Sequence, residues 1–140
     1  MKKIDEIEPL LDGSQYLKTN FRPSKRIEKR IILNNNNNEE FCFKEFSNNT
    51  NYSYPIDESQ VEIRRQVNIL KELKRSDNII RFIGVAQEDS KYYLVTEWME
   101  LGNLYEYYTR FRNNINWEIK LKMALDICRG IAYLHGRKVG

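Results

Sequence analysis

The chain has 140 residues, enough to build one hydrophobic core but short of a complete large enzyme. Hydrophobic residues make up 41% and charged residues 31%, which excludes collagen-like, membrane-spanning and wholly disordered chains. Twenty-three Lys and Arg against twenty Asp and Glu leave a net charge of +3. That is too weak a field for a phosphate-neutralising surface, so nucleic acid is not an expected partner.

The start Met1-Lys2-Lys3-Ile4 opens like a signal segment, but Asp5, Glu6 and Glu8 interrupt it and no later apolar run is long enough to span a bilayer. An intracellular, cytoplasmic protein with no membrane partner is therefore expected. Ile4, Ile7, Leu10 and Leu11 alternate with charges up to the turn signal Asp12-Gly13-Ser14 and read as a short docking helix or a frayed extension. Residues 16–21 and 26–33 read as two strands of a hairpin, separated by Arg22-Pro23-Ser24-Lys25, where proline sets a turn and removes a ladder donor. The Asn run at 34–38 falls where a hairpin tip belongs. Residues 40–46 follow as a strand with Phe41 and Phe43 on one face and Cys42 and Lys44 on the other.

Residues 47–58 are a polar loop whose two glycosylation sequons read as accidents of its Asn content. From 60 to 74, Ile63, Val67 and Leu70, widened by Ile69 and Leu73, predict a helix. Strands are predicted at 79–85 and 92–98, joined by a turn at Gln87-Glu88-Asp89-Ser90. A link at 99–103 leads to a helix at 104–110. Asn116 then caps a last helix whose apolar positions are Trp117, Leu121, Ala124, Leu125, Cys128, Ile131 and Leu134. Cys42 and Cys128 have neither C-x-x-C spacing nor His partners and read as buried free thiols. His135, with no nucleophile beside it, reads as structural.

Three stretches then carry a resemblance. Phe41-Cys42-Phe43-Lys44 resembles the third-strand V-A-I-K motif of protein kinases, and Tyr93-Leu94-Val95-Thr96-Glu97-Trp98-Met99-Glu100-Leu101-Gly102-Asn103-Leu104 resembles the hinge of tyrosine and tyrosine-kinase-like kinases. Gly130-Ile131-Ala132-Tyr133-Leu134-His135 resembles the end of the helix that precedes the kinase catalytic loop. The resemblance runs over residues 16–140. It implies an α+β, protein-kinase-like fold with a small antiparallel sheet of about five strands, one helix on the sheet, a hinge and two helices of an incomplete second lobe. Residues 1–15 would be an extension, 16–98 the smaller lobe, 99–103 the link and 104–140 the start of the larger lobe.

By the same resemblance Lys44 would meet the ATP phosphates. Cys42 and Ile27 would line the adenine slot, Thr96 would stand as gatekeeper, and the main chain of Glu97 and Met99 would bind the base. Mg²⁺ would bind only together with the missing part of the second lobe. The implied partner is a protein substrate or signalling partner.

The departures are specific. No glycine occurs in Asn20-Phe21-Arg22-Pro23-Ser24-Lys25-Arg26, where the family places its Gly-rich phosphate loop. Arg22, Lys25, Arg26, Lys29 and Arg30 either supply side-chain charge in its place or form a solvated strand edge. The helix glutamate that should pair with the strand lysine falls on Gln66 in one register and Val67 in another; Glu62 would serve only after a slide of about 6 Å. By spacing, the catalytic loop would begin just after Gly140, so the base Asp and the metal-binding residues are not in the chain, and the polypeptide as written is not expected to transfer phosphate. The last helix should expose apolar positions worth on the order of 10 kcal/mol of burial and self-associate through them.

Three readings follow: part of an active protein kinase, a degenerate kinase-like scaffold or interaction module, and an unrelated small α+β interaction domain. The last predicts no hinge-like junction between a sheet and the final helices.

Overall fold

In the computed structural model, residues 10–33, 37–46, 56–89 and 91–137 are described. The sequons, residues 1–9 of the predicted N-terminal extension, residues 34–36 of the Asn run and the Glu62 side chain lie outside them.

Among the described residues, six strands form one sheet: β1 (Leu10–Asp12), β2 (Leu17–Lys18), β3 (Ile27–Leu33), β4 (Asn38–Glu45), β5 (Phe82–Glu88) and β6 (Lys91–Glu97), in the order β1-β5-β6-β4-β3-β2. The described helices are α1 (Ile56–Leu73), α2 (Leu104–Phe111) and α3 (Trp117–Gly136). The α+β class holds, but the sheet is mixed. Leu10, Leu11 and Asp12 pair in parallel with Val85, Ala86 and Gln87, whereas every other pairing is antiparallel. This corrects the reading of residues 10–12 as helical or frayed, because a three-residue edge strand is too short to show a period.

Other boundaries move for local reasons. The predicted strand at 16–21 shrinks to Leu17–Lys18, since Thr19 and Phe21 meet β3 through Thr19 N–H to Lys29 O (3.2 Å) and Lys29 N–H to Phe21 O (3.1 Å) outside regular pairing. The strand predicted from 79 begins at Phe82, because Ser76 N–H turns back to Leu73 O (3.1 Å) and Ile79 N–H to Ser76 O (3.4 Å). Gln87 and Glu88, expected in a turn, remain paired with Tyr92 and Lys91. The reversal is tight enough to hold Asp89 at φ +48°, a left-handed conformation that Asp tolerates better than most residues.

Strand register separates two cores. On the inner face, Phe82 and Val85 pack against Ile63 and Val67 of α1, with Leu70, Leu94 and Tyr92 around them. On the outer face, Tyr16, Phe41, Phe43, Ala86, Tyr93 and Val95 cluster, and the Tyr16 ring meets Phe41 edge-on at 5.2 Å. Arg30, expected among surface cations, is fully buried in this outer core. Its guanidinium bonds Glu28, Glu88 (2.7 Å) and the Gly13 carbonyl (3.0 Å), and it lies over Phe43 at 4.3 Å and Tyr93 at 5.0 Å. A buried charge persists only when paired and hydrogen-bonded on every side, which the rings and carboxylates supply.

The last helix begins where predicted: Asn116 Oδ1 accepts from Ile119 N–H at 2.9 Å. Its contacts, however, run along another face. Gly130 is buried, and a Cβ there would stand 2.9 Å from the Asn78 carbonyl oxygen. Tyr133 Oη donates to Glu72 O (3.4 Å) and Arg137 approaches Glu72 (3.7 Å). The apolar stripe is exposed instead, with Trp117 at 71% and Leu121 at 53%. Cys128, on that stripe, is exposed too and Cys42 is half-buried, so neither thiol is the fully buried residue expected.

Candidate functional site

The strand β4 positions the site by parity. Cys42 pairs with Lys29 on one side and Thr96 on the other, while Lys44 pairs with Ile27 and Leu94. Directly paired residues share a face of a sheet, so Ile27, Lys29, Cys42, Lys44 and Thr96 all lie on the inner face, the face that α1 covers further along. Phe41 and Phe43 alternate to the outer core as expected. Cys42 and Lys44 thus form a strip bounded by α1 and by the exit of β6.

The chemistry of the strip is graded. Burial pushes the Cys42 thiol above its usual range, opposed in part by a hydrogen bond with Thr96 and by the charge of Lys44; the sulfur is a neutral, weakly polar wall. Thr96 is buried and donates its hydroxyl to the Glu97 carbonyl at 3.2 Å. Lys44 is exposed and makes no hydrogen bond or ion pair with another described residue. Its ammonium is therefore available at the open end of an otherwise half-buried strip.

The link after β6 is held by its backbone. Glu97 N–H donates to Arg81 O (3.0 Å) and its carboxylate accepts from Arg81 N–H (2.6 Å). Met99 O accepts from Gly102 N–H at 3.1 Å, and Gly102 sits at φ +73°, where a side chain would be strained. Asn103 and Glu106 then close a reciprocal capping box on α2, at 2.9 and 2.8 Å. Gln66 is exposed on α1, and the neighbour that turns onto the sheet is Val67.

The basic cluster of the sequence does not assemble over Lys44. Arg30 is in the outer core, and Arg22 bonds Glu28 beside it at 2.6 Å. Lys29 alone turns inward. There it joins residues that sequence reasoning missed: its Nζ contacts Glu40 at 2.7 Å and Glu100 at 3.2 Å and lies 5.2 Å from the Trp98 ring centre. Trp98 Nε1 donates to Glu100 at 2.8 Å, and Phe21 meets the indole edge-on at 5.6 Å. The Glu40 carboxylate holds Lys29 protonated above its usual range, against burial, and Glu100 adds to the effect. This clasp ties β3 and the segment before it to the link. Strand parity, which sets Lys29 with Cys42 and opposite Arg30, was the signal that could have found it.

Among the described residues no group of three or more His, Cys, Asp or Glu could hold a metal ion. No described helix is long and apolar enough to cross a membrane.

The family model for protein tyrosine and serine/threonine kinases matches residues 29–139. A probable serine/threonine-protein kinase of Dictyostelium discoideum is 39% identical over 84 residues, 59% of this chain and 20% of the relative. A probable serine/threonine-protein kinase of Arabidopsis thaliana is 38% identical over 78 residues, 56% of this chain and 8% of the relative. The dual specificity protein kinase splA of Dictyostelium discoideum is 40% identical over 82 residues, 56% of this chain and 3% of the relative. The chain thus spans a fifth or less of the length of these relatives. With a lysine strand, a covering helix, and a β6-to-α2 link in the order that the matching family model spans, this chain belongs to the protein kinase family.

Proposed function

We propose that the chain is the nucleotide-binding part of a protein kinase domain, with residues 16–98 as its smaller lobe, 99–103 as the hinge and 104–140 as the start of the larger lobe. One observation supports this reading: Ile27, Cys42, Lys44 and Thr96 share a single face, next to the Glu97–Met99 main chain. A flat base requires an apolar wall with a few backbone groups beside it, and the half-buried strip has that character. Adenine would lie along Ile27 and Cys42, Thr96 would limit the depth of the slot, and Glu97 and Met99 would offer main-chain groups. Lys44 would hold the phosphates at the open end. When bound, ATP would supply the transferable γ-phosphoryl group, and the residues of the strip would bind and orient it. The protein substrate's hydroxyl and the residues that activate it belong to the whole kinase, in the cytoplasm, where the two free cysteines remain reduced.

A second reading has its own observation. The clasp of Phe21, Lys29, Trp98 and Glu100 fixes the strand pair to the link, and no glycine in the segment before β3 lets backbone approach phosphate. A kinase-shaped scaffold that signals by binding other proteins would be built this way. In either case the exposed stripe of α3 is the surface through which isolated chains would self-associate.

Thermal-shift and calorimetric titration with ATP, with and without Mg²⁺, separates the readings. A ligand that binds only the folded state raises Tm. A saturable shift that disappears in Lys44→Ala is the expected result. A folded protein whose Tm ignores ATP would leave the scaffold reading.

A further inference from the structure

A second charged site lies on the outer side of the sheet, away from Lys44. Between the segment that precedes and opens β3 and the β5–β6 turn is a cavity of about 200 Å³. Five cations line it, Lys18, Arg22, Lys25, Arg26 and Lys91, against three carboxylates, Glu28, Glu45 and Asp89, an excess of two positive charges. Lys18 is itself paired with Glu88 at 3.0 Å, and counting the two groups bonded to this lining, Arg30 and Glu88, gives six cations against four carboxylates, so the excess of two stands. Glu28 is engaged by Arg30 and by Arg22 at 2.6 Å, and Glu45 by Lys91 at 3.0 Å. Lys25 and Arg26 form no ion pair with another described residue.

The donors are also held in place. Arg26 sits in a tight turn whose backbone is fixed from both sides: Ile27 N–H donates to Ser24 O and Arg26 N–H to Ser24 Oγ, each at 3.3 Å, and Arg26 O accepts from Glu45 N–H at 2.8 Å. The Glu45 carboxylate keeps Lys91 protonated while the like charge of Arg22 pushes against it. Cations held near one another around a small open space gain from an anion between them. The cavity is below the ~300–1,000 Å³ usual for drug-sized ligands, so it suits a head group and not a nucleotide. A carboxylate would answer one of the two excess charges; a phosphomonoester answers both and offers three strong acceptor oxygens to donors arriving from separate sides.

We propose that this cavity binds a phosphomonoester dianion, either on a phosphorylated serine or threonine side chain or as free phosphate. The test titrates the 140-residue chain with a short peptide carrying one phosphoserine, with its serine and aspartate counterparts, and with inorganic phosphate, following backbone amide NMR shifts. The phosphopeptide should move the amides of Arg26, Asp89 and Lys91 and leave Met99 still. In a Lys25→Ala, Arg26→Ala double variant, which loses no ion pair of the fold, affinity should fall at least about tenfold. Phosphate competing at the peptide's own concentration range upholds the dianion chemistry with free phosphate as its source; phosphate competing far more weakly assigns it to the phosphorylated side chain. An aspartate peptide that binds equally well, shifts centred on Met99 and Cys42, or undiminished affinity in the double variant would each overturn the proposal. The cavity is lined in part by Ile27, the strand partner of Lys44, but not by Lys44 itself, so Lys44→Ala should retain phosphopeptide binding even where it abolishes an ATP response, and the two ideas fail separately.

Discussion

The strand β4 and the helix α3 both carry a regular apolar pattern, with opposite outcomes. Phe41 and Phe43 of β4 are 5% and 0% exposed, whereas Trp117, Leu121, Leu125 and Ile131 of α3 remain between 46% and 71% exposed. The strand's partners are close to hand: β3, β6 and the edge segment around Tyr16 close over it. The helix meets the rest of the described chain along Gly130, Tyr133 and Arg137, which leaves those apolar positions uncovered. An amphipathic pattern establishes that a face is to be covered; it does not identify what covers it.

The largest effect should come from the outer core. Arg30→Ala takes the shared partner from the buried Glu28 and the half-buried Glu88, leaving them Arg22 and Lys18, and a loss of about 3 kcal/mol is expected in a denaturant melt. Only a small change there would mean that the buried network is open to water. The same network sets an acid limit. Burial alone would raise the Glu88 carboxyl, but hydrogen bonds and charge from Arg30 and Lys18 outweigh it and hold the group below its ordinary 4.5. A lowered folded-state value gives stability that is fully present above 4.5 and lost as pH falls through the folded value. Tm should therefore decline on acidification below 4.5, and less steeply in Glu88→Gln.

At the junction, Gly130→Ala sharpens the contrast. Helix propensity favours alanine by about 1 kcal/mol, while a Cβ against a backbone carbonyl costs about 1–3 kcal/mol. A net loss in Tm is expected if α3 is firmly seated on Asn78; a gain would show that the helix is loosely held. The smallest effect belongs to the exposed stripe: Leu125→Ala should change the stability of the monomeric chain by no more than about 0.5 kcal/mol, checked by the same melt at low protein concentration. A loss approaching that of a core leucine would mean that the stripe is covered in solution.

Much of this was legible in the residues. Alternation around Phe41 and Phe43 determined which way β4 faces, and with it that Cys42 and Lys44 share the opposite side. Asn116 marked a helix start because capping is a local interaction. The 93–104 stretch carried the kinase resemblance before any fold was known. The short parallel strand β1 and the truncation of β2 were not legible, since each depends on pairing with a residue far away in sequence, and the late start of β5 follows from turns at Ser76 and Ile79 that its apolar run does not mark.

The sequence by itself determined the composition class, the helix periods, the alternation of β4 and the family, because these reside in local pattern. Only the tertiary structure decided that five nearby cations separate to three destinations: Arg30 into the outer core, Lys29 into the inner clasp, and Arg22, Lys25 and Arg26 around an outer cavity. Charge is written in the sequence, but its partners and its solvation are set by which strands come together, and those decide whether a cation is structural, latched or available to a ligand.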